Sequence, residues 1–179
     1  HVINITGQIL PIKKISEMAH QHGVQVMVDG AHAFAHIQYS IADLGCDYYA
    51  ASLHKWLSVP LGAGILFVKK EHIKNIWPLF GDNEKDPNKI KRINHTGTHP
   101  VHTDLTIPDS IAYYQMIGPA KKEARLRYLQ QYWTSKVKDN PNIILNTPTT
   151  PDRSCAISNV GIKNMKPAIL AERLMKEHK

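Results

Sequence analysis

The sequence predicts an α/β fold built around a mostly parallel sheet. Over the first 70 residues, short β-rich segments alternate with segments of helical periodicity, which is the pattern of layered α/β proteins. The β-rich segments are about five residues long and rich in β-branched side chains, which favours strands over the alternative of buried helices. Glycines and prolines separate these segments and give each one a predicted beginning and end.

The first predicted elements are a strand, a helix and a second strand. Residues 2–6 are β-rich, and Gly7 ends the run. Residues 11–22 carry apolar side chains at helical spacing, with proline at the start and glycine just past the end. Residues 24–28 form a nearly continuous apolar run, which predicts a strand that is buried on both faces.

A short helix and two further strands follow. Residues 41–44 are predicted to form a helical turn that Gly45 closes. Residues 47–51 read as a strand ending at Ser52, and residues 64–68 as another apolar strand.

The second half is predicted to be mainly helical. Residues 78–102 are polar and predict a long loop of the kind that is usually functional or lies at an interface. The later predicted elements are helices at 104–117, 119–137 and 167–178 and strands at 143–145 and 154–161. We therefore divide the chain into a first domain, residues 1–117, and a connecting helix with an incomplete second domain, residues 118–179.

Composition narrows the functional classes. Of the 179 residues, 42% are hydrophobic and 21% charged, which is typical of a soluble globular protein, and no run of ~18 apolar residues predicts a membrane span. The net charge of +7 comes without a nucleic-acid-binding motif, so nucleic acid is not expected as a partner. Cys46 and Cys155 are distant in sequence, which fits a reducing compartment.

The chain begins with a predicted strand at His1 and stops in a predicted helix, so we expect it to be a piece of a longer protein. A cytoplasmic location is expected. A periplasmic one stays open, because a signal would precede His1.

Polar side chains follow two of the predicted strands. Asp29 and His32 follow the strand at 24–28, and Ser52, His54 and Lys55 follow the next one. Ligands of open α/β sheets bind beyond the carboxyl ends of the strands, so these side chains are expected to converge. Taken singly, the aspartate could be a turn residue or helix cap, the lysine a solvated side chain, and the histidine a core or surface residue.

Together these side chains suit pyridoxal phosphate (PLP). A lysine holds the PLP aldehyde as a Schiff base, and a carboxylate keeps the pyridine nitrogen protonated so that the ring accepts electrons. Hydroxyl, imidazole and backbone groups can bind the phosphate.

The motifs resemble those of the class V aminotransferase family, which includes cysteine desulfurases and isopenicillin N epimerase-like proteins. The resemblance rests on Val-Asp-Gly-Ala-His at residues 28–32 and on Ser-Leu-His-Lys at residues 52–55. The His54-Lys55-Trp56 triplet is most similar to the epimerase-like branch. Residues 6–12 and the Thr-Gly-Thr at 96–98 also resemble family segments.

The resemblance implies fold type I of the PLP-dependent transferases, with part of the large domain and the start of a small α+β domain. It implies that Lys55 forms the Schiff base and moves the α-proton. Asp29 would pair with the ring nitrogen, and His32 would face the ring hydroxyl. The implied phosphate ligands are Ser52 and His54.

A homodimer with shared active sites is also implied, because Thr98 would bind the phosphate of the neighbouring subunit's cofactor. His99 stands where many epimerase-like relatives have arginine. The residue that stacks on the pyridine ring and the arginine that binds the substrate carboxylate would lie outside this chain, so the piece alone is expected to be inactive.

The expected function is epimerisation or amino transfer at the α-carbon of an amino acid. A cysteine desulfurase-like lyase and a non-catalytic fragment are the alternatives. Cys155 is expected to be a buried structural thiol rather than a sulfur-transferring one. No metal is expected, because His95, His99 and His102 lack an acidic or cysteine partner at metal-ligand spacing.

Overall fold

A computed structural model of the chain describes residues 1–78, 84–94, 97–98 and 101–178. Helices and strands alternate along the first part, which confirms the predicted α/β class. The helices and strands are α1 (Ile12–Gln21), β1 (Met27–Asp29), α2 (Ile41–Leu44), β2 (Tyr48–Ser52), β3 (Gly64–Val68), α3 (Val101–Leu105), α4 (Ile107–Ile117), α5 (Pro119–Val137), β4 (Ile143–Leu145), β5 (Val160–Ile162) and α6 (Pro167–Glu177). Short 3-10 helices lie at Lys70–Asn75, Ile90–Ile93 and Pro151–Arg153.

The main sheet has the strand order β1-β2-β3 and is mixed. β1 runs parallel to β2, with Asp29 opposite Ala50, whereas β3 runs antiparallel to β2, with Gly64 opposite Ser52. β3 returns after a turn too short for the crossover that a parallel partner needs, so it pairs as a hairpin. A separate antiparallel pair, β4 and β5, lies in the C-terminal part.

The core lies where α1 and α2 cover one face of the main sheet. Its buried side chains include Ile12, Val28, Leu44 and Tyr49, and Tyr49 is fully buried. A smaller cluster of Val2, Ala33, Ile37 and Cys155 attaches the C-terminal part to the turn after β1. Apolar burial therefore fixes the turn that carries the predicted site.

The predicted strand at residues 2–6 is wrong. Only Val2 forms a β-bridge, and its partner is Ile9. The chain reverses between them: the Ile3 amide donates to Gln8 O at 2.9 Å and the Gly7 amide to Ile3 O at 2.8 Å. Gly7 has φ +73°, and a Cβ there would overlap the carbonyl of Ile157, so this turn requires glycine.

The strand predicted at 24–28 is shorter, and its burial on both faces is wrong. β1 begins at Met27, which is 67% exposed, and Val24 is 55% exposed. The amide of Val24 donates to Ala19 O at 3.0 Å, because this residue ends the turn after α1 instead of joining the sheet.

Within the polar region at 78–102, the described residues include the 3-10 helix Ile90–Ile93, and α3 already begins at Val101. Its residues 79–83, 95–96 and 99–100 lie outside the described residues, so the expectations for His95 and His99 do too. The strand expected at 154–161 is confined to β5. The other predicted helices agree with the structure to within a few residues.

Candidate active site

The carboxyl ends of β1 and β2 lie at the same edge of the sheet, because the two strands are parallel. Asp29 is the last residue of β1 and pairs with Ala50. Ser52, the last residue of β2, lies two residues further along, which is about 7 Å. His54 and Lys55 follow in the next turn. The sheet thus delivers the predicted residues to one edge.

The turn after β1 keeps the Asp29 side chain exposed. Its Oδ1 accepts a hydrogen bond from the Ala31 amide at 2.9 Å. The amide of Gly30 donates to Ala50 O at 2.7 Å and extends the sheet by one residue. A Cβ on Gly30 would overlap the ring and hydroxyl of the buried Tyr49, so only glycine allows this approach.

The turn that carries Lys55 is anchored on both sides. The Leu53 amide donates to Ala63 O at 3.1 Å, and the Val59 amide to Leu53 O at 3.2 Å. Leu53 is 2% exposed and therefore ties the turn to the core. Ser58 has φ +64°, a left-handed conformation that reverses the chain after Lys55. The Lys55 side chain itself is half-buried.

The charges of the lysine and the aspartate both act on His32. Burial lowers the pKa of His32, the positive charge of Lys55 lowers it further, and the negative charge of Asp29 opposes both effects. The imidazole is therefore neutral at neutral pH and is near both charges. Its Nδ1 is buried, and it has no hydrogen-bond partner within the described parts of the chain.

The predicted phosphate ligands lie at the same edge or further along the chain. Ser52 and His54 are half-buried, and neither side chain hydrogen-bonds to another described residue. Thr98 is exposed. Its contact with a neighbouring subunit and the homodimer itself remain predictions.

Two residues that support the Lys55 turn were missed by the sequence analysis. The ring of His36 stacks on Trp56 with centroids 3.9 Å apart, and the Nζ of Lys122 on α5 donates to the Trp56 carbonyl. Sequence spacing gives no sign of either contact, since Lys122 lies 66 residues from Trp56.

Helix α5 also braces the neighbouring segments. Glu123 accepts a hydrogen bond from the Gln38 amide at 2.7 Å. Arg127 pairs with Glu123 and donates to the carbonyls of Pro151 and Ser154. One helix thus holds the turn after β1, the Lys55 turn and the chain that leads to β5.

Both thiols are buried. Cys155 is 1% exposed, which confirms that it is a buried thiol, and burial raises its pKa to about 11. Burial likewise raises the pKa of Cys46. Neither forms a reactive thiolate at neutral pH.

In the described ranges, no three or more His, Cys, Asp or Glu side chains are arranged so that they could hold a metal ion. None of the helices there is long and apolar enough to cross a membrane.

The chemistry of this donor set fits PLP. The site has an amine at Lys55 and an exposed carboxylate at Asp29. The Nδ1 of His32, on which both charges act, is buried and has no partner among the described residues, which is an orphaned polar atom of the kind that a missing ligand explains.

The profile described as "Aminotransferase class-V" matches residues 1–178. Isopenicillin N epimerase of Streptomyces clavuligerus is 30% identical over 170 residues, which cover 86% of this chain and 43% of that protein. A probable cysteine desulfurase of Xylella fastidiosa is 38% identical over 171 residues, 88% of this chain and 40% of that protein. The chain spans less than half the length of these curated relatives.

Solved structures agree on the fold. The apo structure of cysteine desulfurase from Thermococcus onnurineus NA1 superposes with a TM-score of 0.82 at 21% identity, covering 98% of this chain and 46% of that one. Alanine–glyoxylate aminotransferase from Nostoc sp. gives a TM-score of 0.75 at 16% identity, covering 99% of this chain and 49% of that one. The fold is type I of the PLP-dependent transferases. With this fold and a family match over residues 1–178, the chain belongs to the class-V aminotransferase family, whose cofactor is PLP.

Proposed function

We propose that the protein containing this chain acts at the α-carbon of an amino acid as an epimerase or aminotransferase, with PLP bound covalently to Lys55. Family membership supports the cofactor, and the epimerase relative supports the reaction class. The activity belongs to the complete protein, because the chain covers 43% of that relative.

One observation carries the proposal. The charges of Lys55 and Asp29 both affect the pKa of the His32 imidazole. These two residues lie at or just beyond the ends of two adjacent parallel strands. An amine and a carboxylate whose charges both act on one neutral imidazole are the groups that the two ends and the hydroxyl edge of a pyridoxal ring need.

Lys55, Asp29 and His32 have separate roles in the proposed reaction. Bound PLP supplies an electron sink for negative charge at the substrate's α-carbon. Lys55 holds the cofactor and then moves the proton at that carbon. The Asp29 carboxylate holds a proton on the ring nitrogen by charge-assisted hydrogen bonding. His32 is neutral, so it orients the ring hydroxyl without adding charge.

The remaining polar residues bind the phosphate. Ser52 and His54 lie beyond the end of β2, at the edge of the sheet that carries Lys55. Thr98 would complete this site from a second subunit of a homodimer.

A cysteine desulfurase-like lyase is the second candidate. The Xylella fastidiosa relative, at 38% identity over 88% of this chain, favours it. However, Cys46 and Cys155 are buried and their thiol pKa values are raised, so neither can attack a substrate sulfur as it lies here. A desulfurase would need a thiol from elsewhere in the protein.

The test uses the full-length natural protein loaded with PLP. We expect an absorbance band near ~420 nm, and borohydride should trap the cofactor on Lys55, located by peptide mass spectrometry. Lys55→Ala should lose the trapped adduct, whereas Lys70→Ala, at an exposed lysine, should keep it. A missing band, or an adduct on another lysine, would refute the proposal.

The reaction class is tested on the same protein. Epimerisation should exchange the α-proton of an amino acid for deuterium in heavy water without consuming a keto acid. Amino transfer should require a keto acid. A desulfurase-like lyase, with dithiothreitol added as the reductant, should release sulfide from cysteine and leave alanine. Sulfide release without the other two activities would select the second candidate.

A further inference from the structure

His36 makes three contacts with three separate segments. It is 1% exposed. Its Nδ1 lies 2.7 Å from the carbonyl oxygen of His32, and its Nε2 lies 3.0 Å from the amide nitrogen of Ala156. Its ring stacks on Trp56, 3.9 Å between centroids with 14° between planes. The residue after Lys55 therefore rests against this imidazole.

The contacts fix the tautomer of His36. The Ala156 amide can only donate, so Nε2 accepts and carries no proton. The proton is then on Nδ1, which donates to the His32 carbonyl. The ring is neutral, in agreement with a pKa that burial lowers to about 4.

The segments that His36 joins all bear on the candidate site. The pKa of His32 is affected by the charges of Lys55 and Asp29. Trp56 is the neighbour of Lys55 in sequence, and its carbonyl accepts a hydrogen bond from Lys122. Ala156 lies 120 residues away, in the segment that leads to β5.

We propose that His36 is a positioning residue for Lys55, which acts by fixing Trp56 with its ring and tying that turn to residues 154–158 through Nε2. The inference rests on the proposed function of Lys55. The ring limits the rotation of the Trp56 side chain, and the two hydrogen bonds limit the rotation of the ring. Lys55 is thereby held on a turn whose next residue cannot shift independently.

A merely structural histidine would contribute stability and nothing else, so the test separates the two roles. It compares His36→Leu and His36→Phe in the full-length natural protein loaded with PLP. Both variants leave the His32 carbonyl and the Ala156 amide without their partner, and only phenylalanine keeps a flat ring against Trp56. Trp56→Leu removes the same stacking contact from the other side.

The control is His20→Leu. His20 hydrogen-bonds to Asp47 at 2.8 Å, at the opposite end of β2 from Lys55. Its loss should lower stability without reaching the site. The readouts are kcat, KM, the thermal unfolding midpoint and the pH midpoint of the absorbance of lysine-bound PLP.

We expect His36→Leu to lower kcat about 10- to 100-fold, because misplacing a reacting group by about 1 Å can cost that much. KM should change by less than about threefold, since the substrate contacts remain. The pH midpoint of the absorbance should shift by about half a unit or more, because the surroundings of the Lys55 nitrogen change. His36→Phe should lie between His36→Leu and the wild type, and His20→Leu should keep the wild-type midpoint.

A second measurement needs no cofactor. In the ¹⁵N spectrum of the PLP-free protein, His36 should carry its proton on Nδ1 and should stay neutral down to about pH 5. A proton on Nε2 would overturn the inference, because the Ala156 contact would then be impossible.

Several outcomes would refute the role. If His36→Leu and Trp56→Leu both keep the wild-type kcat and pH midpoint and lose only thermal stability, His36 is structural. If His36→Leu does not fold, an unchanged pH midpoint of the absorbance in Trp56→Leu also shows that His36 is only structural. If borohydride does not label Lys55, the proposed function fails and this inference with it. A label on Lys55 with an unmoved midpoint refutes the inference alone.

Discussion

Two aspartates lie at opposite ends of the β1–β2 pair and differ in how their carboxylates are used. Asp47 precedes β2 and is 3% exposed. It accepts hydrogen bonds from the Val26 amide at 2.7 Å and His20 Nε2 at 2.8 Å, and from His72 Nε2 at 3.0 Å and Lys69 Nζ at 3.1 Å. Both of its oxygens are occupied by donors of the chain itself.

Asp29 ends β1 and is exposed. Among the described residues, its carboxylate has one donor, the Ala31 amide at 2.9 Å. The adjacent His32 has a buried Nδ1 that no described residue satisfies.

The surroundings of a carboxylate, rather than its residue type, indicate its role. Burial alone raises the pKa of Asp47, but the hydrogen bonds from His20, Val26, Lys69 and His72 outweigh it and hold the pKa well below its ordinary 3.8. A carboxylate satisfied in this way joins α1 and the chain after β3 to the sheet. One with free lone pairs at the edge where strands end is available to a ligand.

Asp29→Asn should give the largest effect. An amide cannot hold a proton on the ring nitrogen, so kcat should fall about a thousandfold, which corresponds to about 4 kcal/mol. The free energy of unfolding should change by less than about 0.5 kcal/mol, because the side chain is exposed. Steady-state kinetics and urea unfolding of the full-length protein check both halves. Wild-type kcat in this variant would remove Asp29 from the site.

Asp47→Asn should give the opposite result. The free energy of unfolding should fall by about 3 kcal/mol, because the amide leaves the buried donors around it poorly paired. The kcat should stay within about twofold of the wild type well below the unfolding temperature. Asp43→Asn, at an exposed position of α2, is the matched control and should keep wild-type stability. A large fall in kcat in a folded Asp47→Asn protein would contradict the structural role of Asp47.

The dependence of stability on pH should show the contribution of His36. Because its pKa is about 4 in the folded protein and 6.5 ordinarily, the unfolded chain binds the proton more tightly. This contribution is therefore complete above about pH 6.5 and is lost as the pH falls towards 4, by at most about 3 kcal/mol.

Urea unfolding at a series of pH values measures this loss. His36→Phe should flatten the curve between pH 6.5 and 4, whereas the loss from Asp47 should begin only below its ordinary pKa of 3.8. An equally steep curve in His36→Phe would assign the loss to other groups.

Lys69→Met should give the smallest effect. Lys69 Nζ donates to Gly45 O at 3.0 Å and to Asp47 at 3.1 Å, and its side chain is 28% exposed. A partly solvated ion pair contributes about 1 kcal/mol or less, so thermal unfolding should shift by only a few degrees. A loss as large as that of Asp47→Asn would mean that the ammonium alone neutralises the buried carboxylate.

The sequence predicts best those features that short-range rules control. α2 ends before Gly45 and α5 begins at the Gly118-Pro119 pair, as the glycines and the proline indicate. The sequence also predicts the ends of the two strands that lead to Asp29 and Lys55, because polar residues directly follow apolar runs. The gathering of the site at one edge follows from the parallel pairing of β1 and β2.

The features that sequence reasoning missed depend on contacts between distant residues. His20 and His72 gave no sign that both would bind Asp47, since the three residues lie on separate elements. The partner of His36 lies 120 residues away at Ala156. The β-branched residues at 2–6 predict a strand, but the chain turns there, because the single glycine Gly7 reverses it. Such contacts form only when the whole fold is assembled.

Helix α5 has a consequence for the order in which the site can form on the ribosome. Lys55 is translated before both Lys122, which binds the Trp56 carbonyl, and Ala156, which binds the imidazole of His36. A nascent chain that has exposed only residues 1–117 therefore lacks both restraints on the lysine. The contacts around the Lys55 turn are therefore complete only after the residues up to Ala156 have left the exit tunnel.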